Sequence, residues 1–135
     1  TALKIANELK KRKLNVELIV GRMRTYDLEQ LREKHPLLLT CAGDNEIDVV
    51  VATQTLEVGI DIDFSSLVTE LAPASSLAQR FGRVNRLGKR KDSKIVVLEP
   101  ADSIKVKDAV PPYKGDDLRK AYDWLDVLSQ QNSVN

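Results

Sequence analysis

The stretch IDVVVAT, residues 47 to 53, most constrains what this chain can become. Its apolar, β-branched centre, VVVA, has no polar face to turn to water. It is expected as a strand buried on both sides, inside a sheet covered above and below. The flanking sequence supplies material for those layers. ALKIANELKKRK carries apolar residues at 2, 5, 6 and 9, a helical stripe that closes on a basic turn suited to a helix C-terminus. VELIV, 16 to 20, reads as a strand broken by Gly21. Thr25 can cap a second helix, DLEQLREKH, which buries Leu28 and Leu31 and stops at Pro36.

Beyond the loop CAGDNE and the central run, the alternation continues. SSLVTEL, 65 to 71, is a weaker strand, SSLAQRFGRVNR, 75 to 86, a serine-capped helix, and KIVVLEP, 94 to 100, a further strand stopped by proline. Residues 101 to 115 form a Pro-containing polar connector. The helix DDLRKAYDWLDVLSQQ follows, with apolar positions at 118, 121, 122, 125 and 128. Helices alternating with short apolar strands predict an α/β fold whose sheet is mostly parallel. In such sheets ligands gather beyond the carboxyl ends of the strands. Attention therefore falls on QTLEVGIDIDF, after IDVVVAT, and on the arginine-bearing helix, after SSLVTEL.

Composition narrows the chemistry. At 135 residues, with 42% hydrophobic and 30% charged residues, the chain has the balance of an ordinary globular domain and not of a disordered segment. A single cysteine, Cys41, excludes an internal disulfide and a thiolate zinc cluster, and a single histidine, His35, makes a poor start for a metal site. His35 reads as a helix-end residue and Cys41 as a small buried hydrophobe. No apolar run approaches the roughly 20 residues that span a bilayer, and no signal-peptide pattern opens the chain, so the cytoplasm is the expected compartment. The net charge of +1 is uninformative, but the bases concentrate at Lys10 to Lys13 and from Arg80 to Lys94. A local basic patch can hold an anion on a neutral molecule.

On a continuous helix, Leu77, Phe81 and Val84 fall within an arc of about 60°, while Gln79, Arg83 and Arg86 share another of about 60° on the opposite side. Such a helix would pack by one face and present an amide and two guanidiniums from the other. Guanidinium is permanently charged, planar and able to grip phosphate oxygens through two bonds. A solvated basic face with scattered salt bridges is the plainer alternative. At the strand end, Thr53 aims a hydroxyl out of the sheet, and Gly59 gives backbone freedom between Glu57 and Asp61. Asp61 and Asp63, one residue apart, point the same way in an extended segment. Such carboxylates accept from ribose hydroxyls in nucleotide clefts, and two alone are too few ligands for a metal. Trp124 beside Tyr122 could stack on a base, but its helical spacing with Leu118, Leu125 and Leu128 favours the core.

Together, VVVATQTLEVGIDIDF and, twelve residues later, LAQRFGRVNRLG resemble the fifth and sixth conserved motifs of superfamily 2 helicases. The pattern Q-x-x-G-R-x-x-R is complete at Gln79, Gly82, Arg83 and Arg86. The variant TQTLEVGIDIDF with LVTELAPASSLAQRFGRVNR is most similar to the helicase–nuclease of type I CRISPR systems, and the resemblance covers about residues 1 to 100. It implies the second of two RecA-like lobes, a three-layer α/β domain with helices on both faces of the sheet, the connector at 101 to 115, and a C-terminal helix at 116 to 135 that packs on the lobe or leaves it. ATP with Mg²⁺ would be bound mainly by the first lobe. Arg83 and Arg86 match the family's arginine fingers, and Gln79 the glutamine on the γ-phosphate side. Asp61 matches the acid associated with ribose or lobe closure, Gly59 the glycine that shapes the turn, and Thr53 a residue touching the nucleic-acid backbone. Arg22, in GRMR, sits where the family has another loop near nucleic acid, though the histidine often found there is missing. Single-stranded DNA, the first lobe and a CRISPR RNA-guided surveillance complex are the implied partners.

Absences sharpen the expectation. There is no phosphate-cradling G-x-x-x-x-G-K-[ST] loop, no Asp-Glu pair to hold Mg²⁺, and no His-Asp nuclease motif. The chain is therefore expected to be a piece of a longer protein, inactive as an ATPase by itself, with the first strand of its lobe lying before Thr1. The rival readings are another superfamily 2 translocase acting on RNA or DNA, and a non-catalytic nucleic-acid-binding module of the same fold.

Overall fold

The computed structural model describes residues 2–21, 25–54, 61–99 and 113–132. Its elements run α1 (Ala2–Lys11), β1 (Val16–Ile19), α2 (Thr25–Lys34), β2 (Val49–Ala52), β3 (Ser66–Glu70), α3 (Ala74–Phe81), β4 (Lys94–Leu98) and α4 (Gly115–Asn132). They divide into two compact units, one comprising Thr1–Phe64 with Arg86–Lys89 and the other Ser65–Asn85 with Arg90–Asn135.

In the first unit β1 and β2 pair in parallel, Val16 opposite Val49 and Ile19 opposite Ala52. A parallel pair requires a crossover, and α2 with the turns that follow it provides the return. The approach to the ladder is tied side to side. The Asn15 N–H donates to Asp48 Oδ2 at 2.8 Å, the Asp48 N–H donates to the Asn15 carbonyl at 2.9 Å, and the Asn15 amide reaches the Glu46 carbonyl. Ile19, Leu31, Leu38, Leu39 and Ile62 form the core, with Ile47, Val50, Ala52 and Phe64 packed against it. Every residue of β2 is half-buried, so the two-sided burial expected of IDVVVAT is not met among the described residues. Its one described ladder neighbour is β1. The stripe of α1 is likewise only partly used: Ala6 is buried, while Ile5 remains 48% exposed. The expected cap at Thr25 and the side chain of Leu28 lie outside what the structure describes.

In the second unit β3 and β4 also pair in parallel, with Ser66 opposite Lys94 and Glu70 opposite Leu98. Leu71, Ala72, Leu77, Leu118 and Ala121 are its buried core, joined by Phe81, Val97, Tyr113, Trp124 and Leu125. Trp124 stacks on Phe81 with ring centroids 6.2 Å apart, which makes it a packing residue, as its spacing predicts. Tyr122, counted in the apolar stripe of α4, is 39% exposed.

The arginine helix is shorter than the apolar periodicity predicts. α3 ends at Phe81, Gly82 is its C-cap, and Asn85 lies in the left-handed region at φ 47°. Arg83 and Arg86 therefore stand on the turn beyond the helix and not on its outer face. The predicted serine cap is also replaced: Pro73 occupies the N-cap, and Ser75 and Ser76 lie within the first turn.

Candidate functional site

Within the first unit, the carboxyl ends of β1 and β2 are joined through Thr53. Its N–H donates to the Ile19 carbonyl at 3.2 Å, and its hydroxyl accepts from the Gly21 N–H at 3.3 Å. Gly21 has φ 77°, a conformation that favours glycine and turns the chain sharply off β1. Thr53 is exposed, at the strand tip where the sequence places it.

Asp61, Ile62 and Asp63 follow in the same unit, and the middle residue points into the core at 3% exposure. Both carboxylates converge on Arg86. Asp63, 6% exposed, accepts the main-chain N–H of Arg86 at 2.7 Å. Asp61 Oδ1 meets Arg86 Nη1 at 2.9 Å, and this pair is open to solvent, with side-chain exposures of 63% and 43%. Desolvation pushes the half-buried Cys41 thiol above its ordinary value, the nearby Asp61 and Asp63 carboxylates push the same way, and Arg86 pulls it down.

His35 is more than a helix-end residue. It is buried, with Nδ1 3.2 Å from Asp44 Oδ2 and Nε2 3.4 Å from Glu17 Oε2. Lys34 Nζ reaches the same Glu17 oxygen at 2.8 Å. The ring thus links the end of α2 to β1 and to the 41–46 loop, a structural node that a lone histidine in sequence does not announce.

In the second unit Gln79 is exposed on α3 and Arg83 is half-buried on the turn after it. The Arg83 N–H donates to the Arg80 carbonyl and the Val84 N–H to the Phe81 carbonyl, both at 3.0 Å, so the turn retains helical-type bonds before Asn85 breaks them. Arg80 faces inward: Nη1 donates to Thr69 Oγ1 at 2.8 Å and to the Glu70 carbonyl at 3.4 Å, and Nη2 to Tyr113 Oη at 3.2 Å. Asn85 and Arg90 exchange two hydrogen bonds, Nδ2 to the Arg90 carbonyl at 2.8 Å and the Arg90 N–H to Oδ1 at 2.9 Å.

Of the site residues expected from sequence, the structure brings Asp61 and Arg86 into contact and places Thr53 in the same unit. Gln79 and Arg83 belong to the other unit, and Gly59 and Arg22 lie outside the described residues. Asp63, paired with Asp61 in the sequence by their spacing, turns inward to the Arg86 main chain, a role that the spacing alone does not announce. Among the described residues no group of three or more His, Cys, Asp or Glu side chains is arranged to hold a metal ion, and no helix is long and apolar enough to cross a membrane.

Two parallel strand pairs alternating with helices, and an arginine-bearing turn after α3, define an α/β domain. Comparison with known proteins gives the narrower assignment. The sequence profile described as CRISPR-associated nuclease/helicase Cas3, C-terminal, matches residues 1–89, and the chain belongs to that family. A Myxococcus xanthus protein bearing the CRISPR-associated nuclease/helicase Cas3 name is 31% identical over 103 residues, covering 74% of this chain and 13% of its own length. The crystal structure of T. fusca Cas3-ATP superposes with a TM-score of 0.58 at 23% identity, over 75% of this chain and 13% of that one. A chain in the structure of a pre-nicking CRISPR RNA-guided surveillance complex gives a TM-score of 0.66 at 20% identity, over 95% of this chain and 18% of that one. The chain thus corresponds to a small part of much longer relatives.

Proposed function

We propose that residues 1–100 act as the second motor lobe of an ATP-dependent DNA helicase of type I CRISPR interference, followed by a connector and a C-terminal helix at 116–135. Arg83 and Arg86 reach the phosphates of ATP seated mainly in the first lobe, with Gln79 on the γ-phosphate side and Asp61 and Gly59 toward the ribose and the turn. ATP supplies the phosphoryl group to be transferred, and Mg²⁺ would be held with it, mainly by the first lobe.

The observation that carries this reading is the state of Arg86. Its main chain is held by a buried carboxylate, while its guanidinium sits in an exposed pair with Asp61. A guanidinium so placed can exchange one anion for another, and phosphate oxygens match its donor geometry. Positive charge that arrives from a second lobe makes hydrolysis depend on closure of the cleft, and closure moves one lobe's grip on the strand relative to the other's. Thr53 and Arg22 would contribute to that grip through the backbone of single-stranded DNA, insensitive to base sequence and weakened by salt. The name of one structural relative, a surveillance complex caught before nicking, supports an RNA-guided partner of the same kind. Without a phosphate-cradling loop of its own, the chain alone is proposed to be inactive.

The test is made in the full-length protein. Arg83→Ala and Arg86→Ala are each expected to abolish DNA-stimulated ATP hydrolysis while DNA binding, measured by titration, survives. Unchanged turnover in both variants refutes the finger assignment.

A further inference from the structure

We infer that Asp63 is the positioning residue for Arg86: its buried carboxylate fixes where the finger's main chain stands, and so where its guanidinium can reach. This rests on the reading of Arg86 as a finger and adds a residue to the machinery.

A carboxylate that is 6% exposed is costly unless its charge is answered by hydrogen bonds. Asp63 meets that demand across 23 residues of sequence, taking the Arg86 N–H at 2.7 Å. An N–H donating to an ionised carboxylate makes a short and strong bond. Arg86 stands on a turn beyond α3 and not within a helix, so no helical ladder fixes its main chain. Asp63, in the same unit as Arg86, supplies a fixed point.

The neighbouring carboxylate behaves differently. Asp61 holds the far end of the same arginine, in the open, where a screened pair is readily exchanged. Asp63 holds the near end, away from solvent, and is not placed to touch a ligand. One contact can be surrendered to phosphate and the other stays. Placement matters because a reacting group displaced by about 1 Å can cost on the order of a hundredfold in rate.

The experiment uses the full-length protein and DNA-stimulated ATP hydrolysis. Asp63→Ala is expected to lower kcat by about 10- to 100-fold while KM for ATP stays within about twofold. Asp63→Asn keeps an acceptor oxygen for the same N–H and is expected to return kcat to within about threefold of the parent. If Asp63→Ala does not fold, as judged by its melting transition, Asp63→Leu fills the space without an acceptor and takes its place. Turnover within about threefold of the parent in the acceptor-less variant overturns the inference, as does an Asn variant no better than it, or a loss confined to KM. Arg86→Ala is measured alongside. If it loses turnover while Asp63→Ala does not, the positioning role alone is wrong. If Arg86→Ala retains turnover, the finger reading falls and the inference falls with it.

Discussion

Arg80 and Arg86 belong to one short motif, yet the two units use them in opposite ways. In the second unit the Arg80 guanidinium donates inward, to the Thr69 hydroxyl, the Glu70 carbonyl and the Tyr113 hydroxyl. It ties β3, α3 and the entry to α4 into one body around Leu77 and Leu118. In the first unit Arg86 meets carboxylates, one buried against its main chain and one exposed at its tip. The contrast shows one kind of side chain held in two ways. Several bonds from inside make an arginine part of the frame, whereas one solvent-exposed ion pair leaves it open to exchange with another anion.

Measurements in the full-length protein test whether the two arginines differ in this way. The largest effect is expected at Arg86, where alanine should reduce DNA-stimulated ATP hydrolysis by about a thousandfold or more, the scale of a lost arginine finger. Arg80→Met should instead act on stability, by about 1–3 kcal/mol for lost bonds to a charged donor, read as faster hydrogen exchange across α3 and α4. An unchanged exchange pattern would remove Arg80 from the frame. Thr53→Ala should weaken single-stranded DNA binding by about 1 kcal/mol, measured by titration at two salt concentrations; equal affinity would take Thr53 off the track. The smallest effect is expected at Asp61, where asparagine should change stability by less than about 1 kcal/mol because the pair with Arg86 is exposed. Asp61→Asn should nonetheless make Cys41 react faster with an alkylating reagent at mildly alkaline pH. Asp61 raises the thiol's pKa, so removing its charge lowers it and increases the thiolate fraction. A slower reaction would contradict that contact.

The element order is legible in the sequence because β-branched runs and helical stripes alternate from α1 to α4. The end of α3 is not, because its apolar pattern runs past its own punctuation. The apolar spacing of Leu77, Phe81 and Val84 suggested a helix as far as Arg86, but Gly82 caps it and Asn85 turns left-handed. Both residue types are known breakers, and they outweighed a periodicity that coincided by chance over one more turn. The fate of Ile5 and of β2 was not legible, because a hydrophobic pattern says which face could be buried and not what is present to cover it. Asp63 was harder still. Carboxylates at i and i+2 share a side of an extended segment, but which of them is drawn inward depends on Ile62 entering the core and on a partner 23 residues away.

The reciprocal bonds between Asn85 and Arg90 carry a last consequence. Surface loops ordinarily absorb added residues at little entropic cost. Here the two ends of the segment from 85 to 90 are buckled together by a side-chain amide, so its circumference is set. One extra residue inside the buckle would have to bulge or break those two bonds. Relatives of this chain should therefore vary the residues at 87 to 89 far more freely than their number.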